Sequence, residues 1–161
     1  KELLGQEHTV TKTIHYNPET QRAVLFDLDQ ESIGTEKLFD RAGLFIKALE
    51  TGSTLVIDEL ESSLHCKIVG FLITLFNTKE TNPKGAQLIF STHSSVALSE
   101  DSMRRDQIWF VNKINHKTVI YPLKRAKSEK RVVRKGENLI KSYLSGEYDA
   151  VPKINEQYSL F

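Results

Sequence analysis

The chain is expected to fold as an α/β protein: a mostly parallel sheet with flanking helices, plus antiparallel hairpins. Three observations predict this. Two short apolar runs, Thr54-Leu55-Val56-Ile57 and Gln87-Leu88-Ile89-Phe90-Ser91, each lead into polar residues that can carry chemistry. Apolar residues recur at helical spacing over about 35–50 and 66–77, before and between those runs. Turn-forming residues at Asn17-Pro18-Glu19-Thr20 and Asn115-His116-Lys117 separate strand-like segments and read as hairpins.

Composition sets the bounds. At 161 residues the chain is long enough for a single domain, 1–161, with a real core. Apolar residues make up 39% and charged residues 27%, which excludes a disordered composition. A net charge of +1 creates no global field that would attract nucleic acid. Cys66 is the single cysteine, so no internal disulfide forms, as in a reducing compartment. No apolar run approaches the ~18 residues a membrane helix needs. A soluble, cytoplasmic protein is expected.

In chain order, residues 7–15 and 22–28 read as strands around the first turn. Leu38, Ala42, Phe45 and Leu49 form the apolar stripe of a helix over about 35–50, with Phe39 and Ile46 widening it. Gly52 stops that helix. Thr54–Ile57 is then a strand buried on both faces. A second helix over about 66–77 turns Ile68, Phe71, Leu72, Leu75 and Phe76 inward. Asn82-Pro83-Lys84-Gly85 is a loop, Gln87–Ser91 the next buried strand, and 95–100 a short helix. Strands follow at 107–112 and 118–123, with Trp109 in the core. The basic stretch Lys124–Lys135 is a solvated segment, with phosphate contacts to nucleic acid as its alternative. A final helix over about 136–144 ends at Gly146.

The chemistry gathers at three places. Asp58-Glu59 ends a buried strand, and ligand crevices of parallel sheets lie at that carboxyl edge. One aspartate there suits Mg2+, which prefers oxygen donors and keeps waters. The neighbouring glutamate suits the orientation or deprotonation of water. The plainer alternative is a pair of acids near the positive end of a helix. His93 follows the second strand, where a lone histidine is more often structural. Zinc bound by His65, Cys66 and His93 lacks any CxxC or HExxH spacing. Ser91 and Ser94 are poor nucleophile partners for His93, because neighbours at a strand end point to opposite faces. Ser32-Ile33-Gly34-Thr35 places a hydroxyl and free N–H groups at a helix start, an anion site or an ordinary N-cap.

Taken together, Glu31-Ser32-Ile33-Gly34-Thr35, Leu55-Val56-Ile57-Asp58-Glu59-Leu60-Glu61-Ser62-Ser63-Leu64-His65 and Ser91-Thr92-His93-Ser94 resemble a known set. They are similar to the signature, Walker B and switch-histidine elements in the C-terminal half of an ABC-type (SMC/RecF-like) ATPase. The strings "ESxGT" and "LVIDELExSLHP" mark its abortive-infection and restriction-associated kind, with Cys66 where that pattern has proline. Tyr143–Pro152 is similar to its "YLxGxxGAxP" ending, so the resemblance spans about 7–152.

The resemblance implies a P-loop NTPase fold that binds ATP and Mg2+. It makes Asp58 the metal ligand, Glu59 and His93 catalytic, and Ser32, Gly34, Thr35 and Ser63 nucleotide contacts. A second copy would close head-to-tail around ATP and drive or gate a nucleic-acid-directed effector, such as a nuclease, in defence or repair. No GxxxxGK[ST] phosphate loop occurs in the sequence. The N-terminal P-loop half is therefore expected on another polypeptide, or removed by cleavage or disorder, and a start at Lys1 accords with that. Its central strand would lie between Gln87–Ser91 and Ile108–Val111. The chain alone is expected to be inactive. Two alternatives stand: a non-catalytic interaction domain, and a metal-dependent nuclease using Asp58, Glu59 and Glu61. For the nuclease, Asp27-Leu28-Asp29 is the one DxD, and it falls at a hairpin end.

Overall fold

The computed structural model describes residues 10–99, 103–114, 116–123 and 138–151. β1 (Lys12–Tyr16) and β2 (Ala23–Asp27) pair antiparallel, from Lys12↔Asp27 to Tyr16↔Ala23. The Asn17 side chain closes their turn by accepting the N–H groups of Glu19 and Thr20 at 2.9 and 3.0 Å. A single 3-10 turn, Leu28–Gln30, then delivers the chain to α1 (Ile33–Thr51). Gly52 ends α1 with φ 73°, and its N–H bonds back to the Ala48 carbonyl. Only glycine suits this position: a Cβ there would also lie 2.6 Å from the Lys84 carbonyl oxygen.

β3 (Thr54–Ile57) and β4 (Gln87–Phe90) form a parallel pair, Thr54↔Gln87 through Ile57↔Phe90, connected by α2 (Cys66–Asn77). Asn82 shapes the loop before β4. It is buried, donates to the carbonyls of Phe76 and Ala86 at 2.8 Å, and accepts the Ala86 N–H at 2.7 Å. β5 (Trp109–Ile114) and β6 (Lys117–Pro122) make a second hairpin, with His116 at φ 63° in its turn. Single 3-10 turns at Ser95–Leu98 and Arg105–Gln107 precede it, and α3 (Leu139–Leu144) follows.

Among the described residues two apolar clusters hold these parts. The larger joins Phe45 and Ala48 of α1 to Val69, Leu72, Ile73 and Phe76 of α2, over Leu55, Ile57, Leu88 and Phe90 of the parallel pair. Phe45 and Phe76 meet edge-on at 6.2 Å. The smaller cluster seats α3 on the second hairpin. Tyr148 is fully buried, stacks on Phe110 at 5.2 Å, and accepts the Tyr121 hydroxyl at 2.7 Å through its carbonyl. Tyr143 stacks on Phe110 at 5.9 Å, and the Asn112 amide donates to the Asp149 carbonyl. The Tyr143–Ala150 string is thus a clasp tying the last helix to β5–β6.

Several expectations are corrected. Among the described residues the mostly parallel sheet is one parallel pair between two separate antiparallel hairpins. β3 is not buried on both faces: Val56 is 70% exposed and Ile89 of β4 is 55% exposed. Trp109 is 58% exposed rather than core, and Phe39, Ile46 and Phe71 also face solvent. For Val56 and Ile89 the cause is the arrangement of the helices. α1 and α2 pack against a single face of the pair, and apolar residues on the other side meet no described element. In α2 Leu72 and Phe76 are buried as expected, joined by Val69 and Ile73, and Ile68 and Leu75 pack partly buried against the same core. β5 starts at Trp109 because 105–107 form a 3-10 turn. The basic stretch Lys124–Lys135 and residues 136–137 of the expected final helix lie outside the described residues; the described helix begins at Leu139, capped by Asn138.

Candidate functional site

The parallel register decides what meets at the carboxyl edge. Ser91 N–H donates to the Ile57 carbonyl and Leu60 N–H to the Ser91 carbonyl, both at 3.1 Å, so pairing continues one step past the strands. Asp58 and Ser91 thereby become neighbours. The Ser91 hydroxyl donates to Asp58 Oδ1, and its oxygen accepts the Glu59 N–H at 2.9 Å. Glu59 has φ 48°, a left-handed conformation that costs a non-glycine residue about 1–2 kcal/mol. The Ser91 hydroxyl helps hold that turn, which aims the Glu59 carboxylate away from the strand. His93 Nε2 lies 3.5 Å from Glu59 Oε1, with the side chains 85% and 55% exposed. Asp58, Glu59 and His93 therefore share one solvent-facing edge.

Glu61 joins this group from the loop behind. Its Oε1 accepts the His93 N–H at 2.5 Å, and the Thr92 side chain bonds the same carboxylate. Burial raises its pKa, but the hydrogen bonds from Thr92 and His93 outweigh burial and hold it below its ordinary value.

A second group forms at the start of α1. Ser32 is its N-cap: Ser32 Oγ accepts the Thr35 N–H at 3.2 Å and lies 2.9 Å from the Thr35 hydroxyl. Gly34 packs on the Ser63 carbonyl, in the same loop as Glu59 and Glu61; Ser63 itself has φ 63°. Behind them Glu31, 13% exposed, is held by the Thr13 hydroxyl and by His15 Nε2 at 2.5 Å. These bonds, Thr13 first and His15 second, keep its carboxyl below the ordinary value. All seven residues read from the sequence as site residues thus fall into two groups joined by the loop 59–64: Asp58, Glu59 and His93, then Ser32, Gly34, Thr35 and Ser63.

An open cleft of about 1090 Å³ runs between β4 and β5, with Asp58, Glu59, Ser91 and His93 among the residues lining it. Its walls include Leu88, Phe90 and Phe110. Among the described residues each strand has an unpaired edge, since β4 pairs with β3 alone and β5 with β6 alone.

The competing constellations do not assemble. His65 caps α2 by accepting the Lys67 N–H at 3.2 Å on Nδ1. That start of α2 at Cys66 is also the first helical position, where proline is tolerated but not required. Asp27 pairs with Lys12 at 2.7 Å. Among the described residues no three His, Cys, Asp or Glu side chains gather to hold a metal ion. A single exposed carboxylate, Asp58, still fits Mg2+, an ion that accepts one protein oxygen and keeps its waters. Among the described residues no helix is long and apolar enough to cross a membrane.

Sequence reasoning undervalued Ser91 and Glu61. It weighed Ser91 as a nucleophile and Glu61 as a metal ligand, whereas both brace the edge. The signal lies in strand register, which places residue 91 beside 58 once β3 and β4 are known to pair.

A family model described as "AAA domain, putative AbiEii toxin, Type IV TA system" matches residues 6–99. That span is more than half of the chain and includes every residue from Ser32 to His93 discussed above. No curated protein and no solved structure matches the chain.

Proposed function

The chain belongs to this AAA domain family, of the abortive-infection kind, and on that premise we propose that it is one half of an ABC-type ATP-hydrolysing site. The observation that carries the reading is the edge where Asp58, Glu59 and His93 meet at the mouth of the cleft. Glu59 there accepts the proton of an attacking water, and the exposed His93 imidazole contacts the transferring phosphate and helps place that water. Asp58 would hold Mg2+, which when bound would neutralise phosphate charge. The N-terminus of α1 is the complementary surface. Its free N–H groups with Ser32, Gly34, Thr35 and Ser63 receive the γ-phosphate of ATP held by a second copy, so two copies close head-to-tail.

The phosphate-binding half comes from a segment outside this sequence. Among the described residues β4 and β5 each have an unpaired edge and both line the cleft, where a further strand would satisfy both. It would merge β3–β4 and β5–β6 into one mostly parallel sheet and bring a phosphate loop to the edge bearing Asp58. Closure and reopening of the dimer then drive or gate a nucleic-acid-directed effector, such as a nuclease, in the cytoplasm.

The test is turnover in the protein assembled with its phosphate-loop half. Glu59→Gln is expected to bind Mg–ATP and lose hydrolysis, because an amide cannot take the water's proton. Turnover within a few-fold of wild type overturns the assignment. For residues 1–161 alone, calorimetry with Mg–ATP is expected to register no binding. Micromolar affinity with turnover would mean that this chain carries its own phosphate site.

A further inference from the structure

We propose that Glu61 is a positioning residue that places His93 by gripping its main chain, a role that rests on the ATPase reading above. The His93 ring has little else to orient it. Its side chain is 85% exposed, and its approach to Glu59, at 3.5 Å, is long for a hydrogen bond. An imidazole in that setting is located by its own backbone. The His93 N–H donates to Glu61 Oε1 at 2.5 Å, and the residue before it, Thr92, bonds the same carboxylate through its side chain.

The grip extends the strand pairing beyond its natural end. β3 and β4 stop at Ile57↔Phe90, and the Leu60 N–H to Ser91 carbonyl bond adds one more rung. Past that point β3 has turned away, so no main-chain carbonyl of that strand remains to receive the His93 N–H. The Glu61 carboxylate supplies the acceptor instead, and a charged acceptor makes a stronger bond than a neutral carbonyl. Because burial is outweighed by these hydrogen bonds, the group is ionised at neutral pH. Reach matters as well. Aspartate is one methylene shorter, whereas glutamine keeps both the length and an oxygen acceptor.

The experiment compares Glu61→Ala and Glu61→Gln in the protein assembled with its phosphate-loop half. It follows steady-state ATP turnover, thermal melting and amide hydrogen exchange at His93. Glu61→Ala is expected to speed exchange at the His93 N–H and lower kcat on the order of 10-fold, with KM for Mg–ATP little changed. Glu61→Gln is expected to restore slow exchange and most of kcat, and it remains informative if the alanine variant melts early. An unchanged kcat in a folded Glu61→Ala variant overturns the proposal while leaving the ATPase reading intact. Equal loss of kcat in both variants, with His93 exchange unaffected in both, also overturns it, because the carboxylate would then act chemically. A wild-type protein that does not hydrolyse ATP, yet shows the exchange effect, sinks the ATPase reading and reduces Glu61 to a structural brace.

Discussion

Gly34 rests against the carbonyl of Ser63 so closely that a Cβ at residue 34 would lie 2.8 Å from that oxygen. The contact joins the start of α1 to the loop that carries Glu59 and Glu61. Glycine is needed there for space rather than for an unusual φ. The neighbour is a backbone oxygen, in a loop already holding Ser63 at φ 63°, so it has little room to yield.

Gly34→Ala is therefore expected to destabilise the chain by about 1–3 kcal/mol, the range for overpacking a tight contact. Thermal melting measures it. In the assembled protein the same change is expected to displace Ser32 and Thr35 and, on the proposed ATPase reading, to weaken ATP-dependent dimerisation. A variant that melts with wild type would mean the loop simply moves aside.

Ser91→Ala removes the acceptor of the Glu59 N–H and the hydroxyl that donates to Asp58. Leaving such a polar group without its partner costs about 1–3 kcal/mol, less where water replaces it. Urea denaturation should register the loss, and Ser91→Thr, which keeps the hydroxyl, should recover most of it. Equal stability of all three proteins would show that the Glu59 turn holds itself.

His93→Ala is expected to slow ATP turnover in the assembled protein while leaving Mg–ATP affinity largely intact. The reason is placement: the ring is exposed at the edge and is not part of the core, and in the proposed site its contact is with the transferring phosphate. A folded variant with the wild-type rate would return His93 to a structural role.

The contact between β1 and the start of α1 is expected to depend on pH. Hydrogen bonds from Thr13 and His15 lower the Glu31 pKa from its ordinary 4.5, so folding favours the ionised carboxylate. The stabilisation is full above pH 4.5 and is lost as pH falls through the depressed folded value. Glu61 is shifted in the same direction, so the useful quantity is a difference. Subtracting the acid-denaturation curve of Glu31→Gln from that of wild type should leave a component that shrinks with acidity. A flat difference curve would leave the Glu31 contacts without a role in stability.

Much of the local structure was legible in the residues. The bounds of β3, Thr54–Ile57, and of α2, Cys66–Asn77, coincide with the apolar run and the helical stripe that predicted them. Ser32 caps α1, and Gly52 ends it in the left-handed conformation. Each of these follows from interactions within a few residues: a hydroxyl reaching an N–H three positions on, or a φ open to glycine alone. The placement of Asp58 and Glu59 at a strand end was legible for the same reason.

What the tertiary structure decided depends on partners far along the chain. Val56 and Ile89 are as apolar as any core residue, but apolarity states only that burial would be favourable, and α1 and α2 cover one face of the β3–β4 pair. Ser91 and Glu61 gain their roles from residues about 30 positions away, through a register that no local pattern encodes. The Tyr143–Ala150 ending becomes a clasp because Phe110 and Tyr121 arrive opposite it on another hairpin. Sequence alone determined which segments form helix or strand and where acids and histidine end them, since those preferences are local. Only the tertiary structure settled which side chains meet at the edge and which face is covered, since contacts between distant segments exist only once the chain has closed on itself.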